Sequence, residues 1–230
     1  MRKAIEMGID KEGFCSVIME GRGIPAKGAF PGSFSYGNDA VETVSYDPEE
    51  AKKLLEESGW TDTDGDGYVD KDGQKLTINW LTYPTRLEQP KLAEYAQATL
   101  KEIGIDVSVN NTSDHRTYAE NGEFDVYVSS LTTAPTGDPE YFFSSTVTGS
   151  KNYGNYQNDE VTKLTEQLHQ TFDTDERGKL AVELQQKILD DDAYFFVSHL
   201  NMGIVTKANV TGMAAHPCDY YEITADLDVQ

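Results

Sequence analysis

The sequence predicts an α/β fold, with a mixed sheet that contains a βαβ unit and is flanked by helices. Residues 76–81 alternate apolar and polar side chains as a strand does, residues 90–103 repeat apolar side chains at helical spacing, and residues 105–109 alternate again. A strand, a helix and a strand in this order form two parallel strands joined by a right-handed crossover. Residues 124–130 alternate in the same way and supply a third strand.

Capping residues predict where the flanking helices begin and end. Residues 2–9 carry apolar side chains at helical spacing and form a first helix. The run Asp47-Pro-Glu-Glu50 begins a second helix as a capping box with proline in the first turn, and Gly59 ends it. Asn158 and Asp173 each cap a later helix.

Two segments lack such periodicity. Residues 21–46 are rich in Gly, Pro and Ser, and we expect them to run over the surface as a connector. Residues 131–157 are rich in Thr, Gly, Tyr and Pro, and an irregular stretch of this length is typical of a functional loop rather than of packing alone.

Residues 194–199 and 203–206 predict a final pair of strands.

The charge of the chain limits its partners. The 230 residues include 19 basic and 40 acidic side chains, and the net charge of -21 repels the phosphates of nucleic acids and anionic membranes. No apolar run approaches the length of a membrane span, so we expect no direct membrane insertion. The opening residues look like the middle of a helix, which indicates a fragment of a longer protein. The spacing of Cys15 and Cys218 predicts neither a metal site nor a disulfide.

The segment 62–73, called the Asp/Gly loop below, has two interpretations. Its first residues match positions 1, 3, 5 and 6 of an EF-hand calcium loop, where the sixth is Gly67. The match fails at position 12, which is Gly73 instead of a bidentate Glu, and a strand follows instead of a helix. A tight hairpin and a calcium-binding structural or interaction module are therefore both open. The candidate calcium ligands are Asp62, Asp64, Asp66, Tyr68 and Asp70.

Histidine and tyrosine side chains supply a few candidate ligand contacts. The four histidines are His115, His169, His199 and His216. No two of them have the i, i+4 spacing of a helical metal site, and a lone histidine is more typical of a surface or a core. His199 ends a predicted strand and could supply an imidazole to a metal chelate. Tyr153 and Tyr156 lie among Gly and Asn, which favours stacking on a ligand about as much as ordinary surface positions.

No catalytic residue is predicted. The chain contains no nucleophile elbow, no phosphate loop and no zinc-protease motif. A hydrolase with paired carboxylates is a third alternative that abundant Asp and Glu leave open but do not support.

Several motifs follow one another over nearly the whole chain. They are Arg2-Lys-Ala-Ile, Gly23-Ile-Pro-Ala, Tyr46-Asp-Pro-Glu-Glu-Ala-Lys-Lys-Leu-Leu, Asp62-Thr-Asp-Gly-Asp-Gly67, Leu100-Lys-Glu-Ile-Gly-Ile105, Asp138-Pro139 and Asp175-Glu-Arg177. In this order they resemble the family 5 extracellular solute-binding proteins of ABC importers, the peptide and nickel group. The resemblance implies one lobe, the C-terminal one, of a two-lobed, type II-like periplasmic binding protein fold.

The resemblance also implies how the chain is organised and where it acts. Residues 1–230 would be the C-terminal ligand-binding lobe, with a connector region and N-terminal helix at 1–46, an α/β core at 47–207 and a return segment toward the missing N-terminal lobe at 208–230. The full-length protein would be extracytoplasmic, either periplasmic or a cell-surface lipoprotein. It would bind a small solute between its lobes and deliver it to the ABC permease subunits, without catalysis and without a resident cofactor beyond the candidate structural calcium.

The ligand implied by the resemblance is a nickel chelate or a short peptide. In the family, the segment before Asp138-Pro139 faces the ligand, and peptide-binding members place an acidic residue about where Pro135 falls. The histidine that nickel-binding members carry in the following loop has no counterpart in residues 146–157. Both ligands therefore stay open. The predicted ligand contacts are Thr132, Thr133, Pro135, Thr136, Tyr153, Tyr156 and His199.

Overall fold

Helices and strands alternate along the chain in the computed structural model, which describes residues 1–215 and 223–230. The helices are α1 (Arg2–Met7), α2 (Lys11–Gly13), α3 (Pro48–Glu57), α4 (Glu88–Lys101), α5 (His115–Glu120), α6 (Glu140–Phe142), α7 (Asp159–Gln170) and α8 (Thr174–Asp190). The π-helical turns Phe14–Ile18 and Phe143–Val147 continue α2 and α6, and Asn38–Ala40 is a 3-10 turn. The strands are β1 (Gly23–Pro25), β2 (Asp70–Lys71), β3 (Gln74–Lys75), β4 (Thr77–Thr82), β5 (Asp106–Asn111), β6 (Val126–Tyr127), β7 (Ser198–Leu200), β8 (Val210–Thr211) and β9 (Asp228–Val229).

The main sheet has the order β5-β4-β6, and both pairings with β4 are parallel. β5 pairs along the whole of β4 and ends with Asn111 opposite Thr82. β6 pairs with the other side of β4 and ends with Tyr127 opposite Leu81. The predicted βαβ unit is confirmed, with α4 as the crossover helix. Because all three strands run the same way, their carboxyl ends meet at one edge of the sheet.

The first core lies between this sheet and the helices α1, α3 and α4. Trp80 is completely buried at its centre, on the central strand. Burial of one large apolar side chain contributes about 1.5–3 kcal/mol to folding. Apolar positions that the sequence predicts for the helices and strands are confirmed here. The principal buried members are Ala4, Ile5, Ile9, Phe14, Ala51, Leu55, Ile78, Trp80, Leu92, Ala96, Leu100 and Ile105.

A second core lies beside α7 and α8, and it draws on segments that the sequence does not mark as buried. Phe30 is fully buried and meets the ring of Tyr36 edge to face at 5.0 Å between centroids. Phe142 and Phe143 are also buried there. The expectation that residues 21–46 run over the surface is therefore wrong, because single aromatic anchors hold this connector without any periodic pattern. The irregular segment 131–157 likewise contributes buried side chains to this core, among them Ala134 and Val147.

Most predicted helix ends are confirmed by their caps. The Asp47 carboxylate accepts a hydrogen bond from the Glu50 amide at 2.9 Å, and Asn158 and Asp173 cap α7 and α8 in the same way. Gly59 follows α3 with a φ of 81°, the left-handed conformation that favours glycine. The reciprocal half of the capping box does not form, because the Asp47 amide donates to the Met7 carbonyl instead.

The predicted final pair of strands is wrong in its second member. β7 pairs antiparallel with β1, where His199 lies opposite Ile24, whereas residues 203–206 form no strand and Val205 is 96% exposed. The next strand along the chain is β8, which pairs with β9. A local alternation of side chains cannot reveal that the partner of a strand lies near the other end of the chain.

Two of the residues weighed in the sequence lie outside the described residues: His216 and Cys218. Cys15 is buried, and this burial raises the pKa of its thiol. Among the residues described, no helix is both long and apolar enough to cross a membrane.

A buried ion pair holds α1 to α2. The Lys11 ammonium lies 2.7 Å from the Glu6 carboxylate, and the two side chains are 7% and 4% exposed. The Thr43 hydroxyl donates to the same carboxylate at 2.9 Å. Such a pair contributes little net stability when intact, but loss of one partner leaves a charge buried alone.

We expect Lys11→Ala to lower the free energy of unfolding by about 3–5 kcal/mol, because the Glu6 carboxylate would stay buried without its cation. Urea unfolding at pH 7 measures the change. The matched control is Lys53→Ala, which removes an exposed ion pair with Glu50 and should leave the unfolding free energy nearly unchanged. A Lys11→Ala protein as stable as the parent would contradict the argument.

Candidate functional site

Aromatic side chains gather where the parallel strands end, and they form the carboxyl-edge cluster of Tyr83, His115, Tyr127 and Tyr153. The rings of Tyr83 and His115 stack with 4.1 Å between centroids. The Nδ1 atom of His115 lies 2.7 Å from the Tyr127 hydroxyl, and the Tyr127 ring meets Tyr153 edge to face at 5.7 Å. In open α/β sheets, ligands bind in the crevice outside the carboxyl ends of the strands. The cluster is therefore the candidate functional site.

The sequence places each member of the cluster by a different route. Tyr83 directly follows β4, and Tyr127 is the last residue of β6. His115 begins α5, shortly after β5 ends. Tyr153 comes from the irregular segment that precedes α7. Parallel pairing alone brings the first three together, because it aligns the carboxyl ends of their strands.

The surroundings of His115 and Tyr127 favour the neutral forms of both side chains. Burial, followed by the nearby Arg116 guanidinium, lowers the pKa of His115. Burial raises the pKa of Tyr127 to about 12. The Nδ1 atom of a neutral His115 can accept a hydrogen bond from the Tyr127 hydroxyl. The ring proton is then on Nε2, which is a donor. The cluster thus offers stacking surface and neutral hydrogen-bonding groups.

Two exposed arginines lie in the segments that follow β4 and β5. Arg86 lies in the loop that follows β4, and Arg116 lies in the first turn of α5. Among the residues described, neither is paired with an acidic side chain, whereas Arg2, Arg22 and Arg177 all donate to a carboxylate or a carbonyl. In a chain of net charge -21, these two cations without acidic partners lie in the segments that follow β4 and β5, and they are candidates for binding an anionic group, for which the planar guanidinium is well suited.

The segment 131–138 leaves this edge, and both of its ends are anchored. At its start, the Ser130 amide donates to the Tyr83 hydroxyl oxygen at 3.1 Å, and the Ser130 hydroxyl donates to Glu88 at 2.9 Å. At its end, the guanidinium of Arg177 bonds both carboxylate oxygens of Asp138, at 2.8 and 2.6 Å. Burial by itself would raise the pKa of Asp138, but the bonds from Arg177 and from a backbone amide outweigh it and hold that pKa below its usual value.

Four of the predicted ligand contacts lie in this segment, and the structure separates their roles. Thr132 and Thr136 are exposed, and Pro135 is half-buried between them. The Thr133 hydroxyl instead donates to the Ala29 carbonyl at 2.9 Å, so it anchors the segment to the second core. Tyr153 belongs to the carboxyl-edge cluster.

The structure places the other two predicted contacts elsewhere. The Tyr156 hydroxyl donates to the Asp191 carboxylate at 2.5 Å, and its ring packs on Tyr194. His199 lies on β7, where burial lowers its pKa to about 4, and its Nε2 atom is buried without a hydrogen-bond partner among the described residues. No ring contact or hydrogen bond of the described residues joins either side chain to the cluster.

Sequence reasoning missed most of the site. The residues it did not select are Tyr83, Arg86, His115, Arg116 and Tyr127. A signal existed for four of them, since Tyr83, Arg86, His115 and Arg116 follow the ends of the two predicted parallel strands, where ligands of α/β proteins bind. Tyr127 falls inside the predicted third strand, which is shorter in the structure and ends at that residue.

The Asp/Gly loop forms a hairpin, as one of its two interpretations requires. β2 and β3 pair antiparallel, so the second helix of an EF-hand is replaced by strands. The carboxylate of Asp62 accepts the amides of Gly65 and Gly67, and Asp70 accepts the Thr63 amide. Only three candidate calcium ligands come together, with oxygen atoms within 4.8 Å of one another. They are Asp62, Asp64 and Asp70, whereas the Asp66 carboxylate is not in the group.

Comparison with known proteins agrees with this fold. The chain matches the family described as bacterial extracellular solute-binding proteins, family 5 Middle, over residues 1–154, and it belongs to that family. Oligopeptide-binding protein AppA of Bacillus subtilis (strain 168) is 32% identical over 97% of this chain and 42% of its own length. The nickel-binding periplasmic protein of Escherichia coli (strain K12) is 27% identical over 94% of this chain and 43% of its own length.

Solved structures show the same fold. The structure of AppA from Bacillus subtilis in complex with a nonapeptide has a TM-score of 0.78 and 27% identity, and the likeness covers 95% of this chain and 45% of that one. NikA from Staphylococcus aureus in complex with Ni(L-His)2 has a TM-score of 0.80 and 24% identity, with 100% and 48% covered. The chain thus spans less than half the length of these relatives, which are two-lobed periplasmic binding proteins. The predicted α/β lobe of that fold is confirmed.

The hairpin interpretation predicts that about 1 mM calcium leaves the melting temperature of the protein unchanged, because backbone amides already occupy carboxylate oxygens and no closing Glu is present. Differential scanning calorimetry with calcium and with chelator measures this. A ligand that binds the folded state raises its stability in proportion to the logarithm of occupancy. A calcium-dependent rise that Asp64→Ala abolishes would contradict the prediction and support the calcium module.

An NMR titration should give His115 a pKa below its ordinary value, and Arg116→Gln should raise it by removing a nearby positive charge. Because the folded pKa is lowered, the unfolded chain binds the proton more readily, and stability falls as the pH drops below about 6.5. Lys163→Gln removes a distant exposed cation and is the control. A His115 pKa that Arg116→Gln does not move would place the guanidinium away from the cluster.

Proposed function

We propose that the chain is the ligand-binding lobe of the substrate-binding component of an ABC importer. It would bind a small solute between its carboxyl edge and an N-terminal lobe, outside the cytoplasm, and deliver the solute to the permease subunits. Membership of the solute-binding family supports the class of protein. The carboxyl-edge cluster is the observation that carries the proposal, since it lies where an open α/β sheet binds ligands. Closure of two lobes over a cleft is a hinge motion of rigid bodies.

The proposal does not include catalysis. The relatives compared above are named for what they bind. Neutral rings and exposed cations suit reversible recognition of a solute.

The chemistry of the edge favours a solute that carries a carboxylate. Arg86 and Arg116 supply two guanidinium groups, and the cluster supplies flat rings for stacking. A peptide has a terminal carboxylate, and histidine in a nickel chelate has one too. The structures of AppA with a nonapeptide and NikA with Ni(L-His)2 show relatives with each kind of ligand. Thr132, Thr136, Pro135 and Tyr153 are the neighbouring contacts that we propose.

A nickel chelate is the second candidate ligand because of one further observation. The Nε2 atom of His199 is buried, unpartnered among the described residues, and carried by a neutral ring. A neutral imidazole nitrogen is a metal ligand, and movement of the lobes could expose it to a chelate. His199→Ala should then weaken nickel-histidine binding and leave peptide binding unchanged, as measured by isothermal titration calorimetry.

The carboxylate assignment is tested on the full-length protein with matched ligands. A set of di- to nonapeptides and their C-terminal amides, and nickel with histidine or with histidinamide, differ by one carboxylate in each pair. We expect amidation to weaken binding about tenfold or more, because it removes the partner of the arginines. The double variant Arg86→Gln with Arg116→Gln should bind acid and amide alike and weakly.

Lys163→Gln, which removes an exposed cation of α7, is the matched control and should keep the preference for the acid. Equal binding of acid and amide by the parent protein would overturn the carboxylate assignment. Failure to bind either kind of ligand would overturn both ligand assignments.

A further inference from the structure

The ligand-facing segment 131–137 has no regular secondary structure, yet hydrogen bonds restrain it along its length. Between the anchors at Ser130 and Asp138, the Tyr36 hydroxyl donates to the Gly137 carbonyl at 2.6 Å, and the Gly137 amide donates to the Ala134 carbonyl at 3.0 Å. Ala134 is buried in the second core. These hydrogen bonds and the burial of Ala134 restrain the backbone that carries the exposed residues Thr132 and Thr136.

Gly137 makes the end of the segment dependent on its last anchor. Its φ is 82°, in the left-handed region that favours glycine. A glycine also has no side chain with which to hold the turn. The direction in which Thr136 points is thus set by the contacts on either side of Gly137, and the strongest of them is the pair of Asp138 with Arg177.

The Arg177 guanidinium uses its full donor capacity. Its side chain is 14% exposed and donates five hydrogen bonds. Two reach the Asp138 carboxylate, one reaches Glu140, and two reach the carbonyls of Leu168 and Thr171 at the end of α7. Carbonyls at a helix end lack partners within the helix, so one side chain caps α7 and holds the segment at once.

We propose that Arg177 is a positioning residue for ligand binding, which acts through Asp138 to fix the segment that carries Thr132 and Thr136. The inference rests on the proposed function. A planar fork bonded to both oxygens of a carboxylate fixes its orientation as well as its distance. Lysine carries three donors at one point, so it cannot reproduce the fork.

The decisive variant is Asp138→Asn, because it leaves Arg177 on the α7 carbonyls and weakens only the link to the segment. In the full-length protein we expect about a tenfold loss of affinity for peptides or for nickel with histidine. Amide hydrogen exchange should quicken in residues 131–137 and stay slow in α7. Arg177→Lys should give the same loss of affinity and also loosen the end of α7.

The matched control is Glu160→Gln, which removes a different ion pair between α7 and α8, with Lys187 at 2.9 Å, by the same change of charge. It should keep parental affinity and exchange. Parental affinity and exchange in Asp138→Asn, or equal losses in Glu160→Gln, would overturn the positioning role. If the parent protein binds neither probe, the proposed function fails, and unchanged exchange in Asp138→Asn is then the result that overturns the positioning role.

Discussion

The parallel pairing of β4 between β5 and β6 is the constraint on which the rest of the structure depends. It requires a long crossover, which α4 provides, and that helix brings Leu92, Ala96 and Leu100 onto Trp80 to form the first core. The same pairing aligns three carboxyl ends at one edge. Tyr83, His115 and Tyr127 therefore lie together because of the same strand pairing that buries Trp80, whereas Tyr153 is added by the irregular segment before α7.

The second core solves a different problem, which is to hold an irregular chain in one conformation. Backbone groups outside helices and strands need other partners, and here the hydroxyls of Tyr36 and Tyr83 supply them to the Gly137 carbonyl and the Ser130 amide. The Thr133 hydroxyl bonds the Ala29 carbonyl, and Arg177 holds the Asp138 side chain. Aromatic anchors add burial where periodicity is missing. The hydrogen bonds at Ser130, Thr133, Gly137 and Asp138 thus restrain the segment although it has no regular secondary structure.

The sequence predicts the fold better than the site, for physical reasons. Caps such as Asp47 and apolar periods in β4 and α4 are local signals, and the structure confirms them. Arg177 and Asp138 can be seen as motifs in the sequence, but their pairing depends on how α8 lies against α6. The members of the carboxyl-edge cluster come from four separate segments, and the sheet order that brings three of them together is not a local signal. The surroundings of His199 could not be predicted for the same reason, since its neighbours on β1 are far away along the chain.

The charge of the chain supports the proposal that the carboxyl edge is one half of a binding site. A chain with 40 acidic and 19 basic residues repels anions over most of its surface, so an anionic group gains most where cations stand without acidic partners. Arg86 and Arg116 have no acidic partner among the described residues, and they lie in the segments that carry Tyr83 and His115. Exposed charge pairs contribute little in water, and the same guanidinium groups would bind more strongly once a second lobe excluded solvent. Under the proposed function, the edge would capture a solute weakly in the open state and hold it tightly only after closure.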